Sequence, residues 1–114
     1  MEIIPHTVSG IKAAEVKSDD LLIEDLQGAL DLLGDIYYQG FDMVILRRGH
    51  FSSEFFDLKS KLAGDILQKF SNYRMRLVIL GDFSAESSRS LRDFVYESNQ
   101  GRQVQFVESV EAIR

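Results

Sequence analysis

Residues 54–84 constrain the fold more than any other stretch: EFFDLKSKLAGDILQKFSNYRMRLVILGDFS reads as a turn, an amphipathic helix, a short connection and a buried strand. Placed about 100° apart per residue, Leu58, Leu62, Ala63, Ile66, Leu67, Phe70 and Tyr73 fall on one half of a helix. Ser60, Lys61, Gly64, Asp65, Gln68, Ser71 and Asn72 fall on the other half. Lys59 projects into the apolar arc, which places it in the first turn, beyond the sheet edge. Leu77, Val78, Ile79 and Leu80 form an unbroken apolar run stopped by Gly81. A run of that kind predicts a strand covered on both faces. Asp42, Met43, Val44, Ile45 and Leu46 repeat the pattern upstream.

The other elements follow in order. Residues 2–8 and 11–17 predict a hairpin turning at Ser9 and Gly10. Pro5 confines the first strand to a sheet edge, and His6 is expected there as a half-exposed residue. Ser18, Asp19 and Asp20 supply oxygens for a helix start. That helix runs to about Tyr38, with Leu22, Leu26, Ala29, Leu30, Leu33, Ile36 and Tyr37 inward and Glu24, Asp31 and Asp35 outward. Residues 84–87 lead into a third helix, with Leu91, Phe94, Val95 and Ser98 inward. Residues 103–107 alternate as a last strand, and residues 108–114 add a final turn.

Three segments carry a family resemblance. FFDLKSKLAGDILQKF, LVILGDFS and SRSLRDFVYESNQG, in that order, resemble signature blocks of a bacterial family, domain of unknown function 4180. That resemblance spans most of the chain and brings no activity with it. The element order is similar to the STAS domain of bacterial anti-sigma-factor antagonists. Those antagonists carry a phosphorylatable serine after an aspartate at the start of the corresponding helix. Here Asp57 is followed by Leu58 and Lys59, a departure from that pattern.

The expected architecture is α/β: a STAS-like single-layer mixed sheet, an N-terminal β-hairpin followed by three βα crossovers, with helices mainly on one face. Right-handed crossovers predict sequential strand order. Residues 1–114 are expected to form one domain, since 114 residues suffice for a single core and no linker or repeat interrupts them. One difficulty arises. The two central strands are apolar on both sides, so helices on one face leave the other to be covered. Sheet curling, the hairpin, an apolar ligand or a second copy would each serve, and a two-fold homodimer is the expectation.

Charge narrows the partners. The net charge is −5; residues 1–40 hold two lysines against eight acids, and residues 41–114 hold eleven bases against ten acids. No basic stripe exists for a phosphate backbone, so no nucleic acid is expected. The absence of cysteine excludes thiolate chemistry and accords with a cytoplasmic location. The first residues show neither a signal sequence nor a membrane span, and no membrane association is expected.

A site is expected where the central strands end, since ligands of open α/β sheets bind at the carboxyl ends of strands. Arg47, Arg48 and His50 leave one strand there, Asp57 opens the next helix, and Asp82 and Ser84 leave the neighbouring strand. These six residues are the candidate ligand site, suited to an anion. No catalytic residue, metal site or cofactor is assigned: there is no P-loop, GxGxxG, GxSxG or HExxH. His50, Asp57 and a serine have triad residue types without an elbow or an oxyanion loop. A non-enzymatic regulatory or protein-interaction module is therefore the leading expectation. A small-ligand or anion-binding domain, or a minor enzyme using those six residues, is the alternative.

Overall fold

The computed structural model describes residues 1–114. Strands β1 (Glu2–Val8) and β2 (Ile11–Lys17) form the hairpin. Its two turn residues, Ser9 and Gly10, have φ of 51° and 82°. Paired positive φ values match the twist of a two-residue hairpin, and a glycine adopts the second without penalty. Helix α1 (Leu26–Tyr38), β3 (Met43–Arg47), the one-turn helix α2 (Ser53–Phe56), α3 (Leu62–Asn72), β4 (Arg76–Leu80), α4 (Arg89–Ser98) and β5 (Val104–Val107) follow. The sheet order is β1-β2-β3-β4-β5; β1 pairs antiparallel with β2 and all other pairs are parallel. This is the α/β mixed sheet with an edge hairpin that the sequence predicts, Pro5 included.

The helices build one core on one face of the sheet. Ala29, Leu33 and Ile36 of α1 and Ala63, Ile66 and Phe70 of α3 pack with Val16, Val44, Leu46, Leu77, Ile79 and Phe106. Phe94 and Val95 of α4 join its margin. The opposite face carries a smaller cluster of Ala13, Met43, Ile45, Val78 and Leu80, against which Val8, Ile11, Val107, Val110 and Ile113 pack. The difficulty raised by the strand pattern is thus resolved inside one chain. The hairpin and the 3-10 turn Val110–Ala112 cover the second face, and the central strands need no second copy to be buried.

Two helix starts differ from expectation. Helix α1 begins at Leu26, not near Ser18: Asp25 caps it by accepting from the Gly28 amide at 2.8 Å. The preceding segment is drawn into extended pairing instead. The amides of Leu22 and Ile23 both donate to the His50 carbonyl, and the Ser52 amide donates to the Ile23 carbonyl. Ile23 is buried by this pairing, and the Ser18 hydroxyl closes a local turn by accepting from the Asp20 amide. The second difference is at residues 58–61. Leu58–Ser60 is a separate 3-10 turn, and Lys61 at φ 65° cannot continue a helix, so α3 starts at Leu62. Asp57 caps the 3-10 turn through the Lys59 amide, and Lys59 is exposed as expected.

Candidate functional site

The six candidate residues do not meet at one point. His50 is a structural post. Its ring is buried; Nδ1 accepts from the Arg47 amide at 3.0 Å, so Nε2 carries the proton and donates to the Ser18 carbonyl at 2.8 Å. Both nitrogens are spent on backbone, and the ring ties the end of β3 to the segment after β2. Asp82 and Ser84 form a self-contained turn: the Asp82 carboxylate accepts from both the amide and the hydroxyl of Ser84, at 2.9 and 2.6 Å. Those two bonds hold the Asp82 carboxyl below its ordinary range. Neither residue lines a cleft.

Arg48 and Asp57 do share one. A cleft of about 540 Å³ lies between the α2 turn and the start of α4, lined by Arg48, Ser53, Phe56, Asp57, Leu58, Lys59, Glu86, Ser88, Ser90 and Leu91. Arg48 is held there from three sides. Its guanidinium carbon lies 5.1 Å from the Phe56 ring centre and 4.7 Å from that of Phe83. Its Nη2 donates to Glu86 Oε2 at 2.8 Å. Gly81 makes this packing possible, because a Cβ there would come within 3.2 Å of both the Arg48 Cβ and the Phe83 ring. The Arg48 bond, together with the Ser88 amide near the other oxygen, holds the Glu86 carboxyl below its usual range. Arg92 grips the same loop by donating to the carbonyls of Glu86 and Ser87 at 2.8 and 3.1 Å.

Arg47 faces elsewhere. It lines a polar recess of about 460 Å³ with Lys17, Ser18 and Asp19. Beside that recess sits Glu15, a buried carboxylate on the helix-free face. His6 Nε2 donates to Glu15 Oε1 at 2.8 Å, Lys17 Nζ lies 3.3 Å from Oε2, and Arg47 Nη2 lies 3.9 Å from it. Burial pushes the Glu15 carboxyl up, but the His6 and Lys17 bonds outweigh it and leave it below its ordinary value. A carboxyl lowered on folding stabilises the folded state above the unfolded-state value of 4.5. That contribution is lost as pH falls through the folded value. Glu15→Gln should remove about 1 kcal/mol of stability at neutral pH and flatten the acid limb below pH ~4.5, discounted because Lys17 and Arg47 are well solvated. Urea midpoints of both proteins from pH 7 to 3 check this. Parallel pH profiles would show that Glu15 carries no linkage.

The sequence profile of the family described as "Domain of unknown function (DUF4180)" matches residues 8–114, from the end of β1 to the last residue. The chain belongs to the DUF4180 family. Neither a curated protein nor a solved structure gives a significant match. Within this DUF4180 chain, all of β2 to β5, both recesses and the segment covering the second sheet face fall inside the matched region. No helix is long and apolar enough to cross a membrane.

Residues that the sequence did not single out complete both sites. Glu15 had a visible signal: a charge inside a strand beside Ala13, Ala14 and Val16, with its side chain on the same face as Ala13. Glu86 had none, since 38 residues separate it from Arg48.

Proposed function

We propose that residues 1–114 form one domain that serves as a non-enzymatic regulatory or protein-interaction module of the bacterial cytoplasm. The partner is taken up in the cleft between α2 and the start of α4. The observation that carries this reading is the cleft itself: a fixed arginine flanked by two phenylalanine rings, three apolar walls and three serines. Three apolar side chains set among charged groups and hydroxyls suit recognition of a segment that is itself part apolar and part polar. The cleft does not suit proton transfer. His50 has no free nitrogen, and the Glu86 carboxyl is lowered, away from the range a general base needs near neutral pH.

A second reading, a small-anion site, rests on Lys17 and Arg47 at the polar recess. Both cations already face Glu15, and Asp19 adds a further acid to the lining, so the recess offers little net positive charge. A homodimer would have to use surface other than the covered central strands.

Affinity capture from native cells tests the module. Ser90 is exposed on the cleft wall, and Ser90→Trp should fill the cleft; Asp31→Lys alters the distant acidic face of α1. The expected result is one partner held by the native protein and by Asp31→Lys and lost by Ser90→Trp. A partner retained by Ser90→Trp, or no reproducible partner, would count against the reading.

A further inference from the structure

We infer that the cleft recognises an acidic side chain followed by apolar residues in an extended partner peptide, and that Glu86 occupies the acidic subsite as an internal stand-in. This rests on the interaction-module reading and names the chemistry of its partner.

Glu86 is one of three contacts that hold Arg48, and the other two are aromatic rings. The rings are those of Phe56 and Phe83, and Phe83 is buried. The guanidinium has five N–H donors in a planar fork, which match a carboxylate best when two parallel bonds form. Glu86 uses only one: Oε2 meets Nη2 at 2.8 Å, while Oε1 faces the Ser88 amide at 3.4 Å. The Arg48 side chain remains 40% exposed. A carboxylate entering from the cleft can therefore form the bidentate pair that Glu86 leaves unmade.

When Glu86 yields, the Ser88 amide loses its contact with Oε1, but the loop keeps its other anchors. The main chain at residues 86 and 87 is held by Arg92, which does not touch the Glu86 carboxylate. Phe83 anchors the loop on its other side, against Phe106 at 5.0 Å. Release of the Glu86 side chain thus opens the subsite with the walls in place. Beyond Arg48, Phe56, Leu58 and Leu91 supply the apolar contact. Ser53, Ser88 and Ser90 supply hydroxyls for a peptide backbone. Lys59 adds a second cation on the same rim, offset by Asp57. With Glu86 swung out, the lining carries one net positive charge, complementary to one acidic side chain. The occupant is therefore a protein segment, and a free carboxylate lacking an apolar continuation should bind far less well.

The test uses two synthetic probes, acetyl-Glu-Leu-Leu-amide and its Gln counterpart, titrated into the full chain by two-dimensional amide NMR. The acidic peptide should shift the amides of Ser53, Lys59, Ser88 and Ser90. Glu86→Gln should tighten its binding by up to about fivefold, the upper range for an ion pair that keeps one partner in contact with water. Arg48→Gln should weaken it about tenfold or more, and Arg48→Lys, which keeps the charge and loses the fork, should fall between. Dispersed spectra of each variant confirm folding, and Arg48→Lys serves if Arg48→Gln does not fold. Equal binding of the two peptides, unchanged affinity in Glu86→Gln, equal binding by acetate, or no binding by Glu86→Gln would overturn the inference. A cellular partner lost by Ser90→Trp but indifferent to Arg48→Gln and Arg48→Lys would remove the acidic subsite and leave the interaction module standing.

Discussion

Phe55→Ala should cost about 3–5 kcal/mol, the usual range for emptying a buried aromatic site. Phe55 is fully buried although it lies in the one-turn helix α2. Its ring is 4.5 Å from Phe51 and 5.1 Å from Phe56. The row continues from Phe56 to Phe83 at 6.0 Å, from Phe83 to Phe106 at 5.0 Å and from Phe106 to Phe94 at 5.8 Å. Six rings thus run from the loop after β3 to the inner face of α4, and Arg48 rests on two of them. Removing Phe55 takes support from Phe56, so the loss of stability should come with broadened amide signals around the cleft. Urea denaturation reads the first effect and NMR line widths the second. An unchanged midpoint would show that α2 is peripheral to the core.

The row of rings also shows where sequence reasoning stops. Apolar runs such as residues 44–46 and 77–80 announce themselves, because burial on both faces leaves no room for alternation. Strand order follows from the hairpin and the crossovers. Phe55 and Phe56, by contrast, sit in a segment that has the polarity of a turn, and only the pairing of residues 22–23 with 50–52 shows why the turn is buried. The start of α1, expected at Ser18, Asp19 and Asp20, lies at Leu26 for the same reason. Ser18, Asp19, Asp20 and Asp25 are all capping residues, and the choice of Asp25 is made by a long-range bond network through His50.

The candidate site was legible by place and not by membership. The carboxyl ends of the central strands do form recesses, as an open sheet requires. Arg47 and Arg48 are adjacent in sequence, and they open onto separate recesses because the chain turns into a 3-10 helix immediately after β3. His50 carries the residue type of a catalytic base, but its two backbone bonds make it a strut. Asp82 and Ser84 satisfy each other. Only tertiary structure could pair Arg48 with Glu86, since neither propensity nor periodicity connects loops of different crossovers.

Gln105→Ala should open the helix-free sheet face, with a loss of about 2–4 kcal/mol from the void and the unmade bonds. Gln105 is fully buried on β5, an unusual place for an amide. Its Nε2 donates to the Arg114 carbonyl at 2.9 Å, and its Oε1 accepts from the Arg114 amide at 3.0 Å. The side chain thus behaves as a short piece of strand that latches residue 114 to the sheet. The Arg114 guanidinium adds bonds to the carbonyls of Asn99 and Gly101. Between the latch and β5 lie Val110 and Ile113, which cover Met43, Ile45 and Val78. Without the latch, this cover rests on apolar contact alone, and the exposed strands present the contiguous apolar surface that favours self-association. Gln105→Leu keeps most of the volume and none of the bonds, so it separates the two causes. A small loss in Gln105→Leu with a large one in Gln105→Ala would assign the effect to the void. Comparable losses would assign it to the latch. Light scattering should then show a mass that rises with concentration for Gln105→Ala. If that variant keeps both the native midpoint and the native mass, the latch does not hold the cover in place.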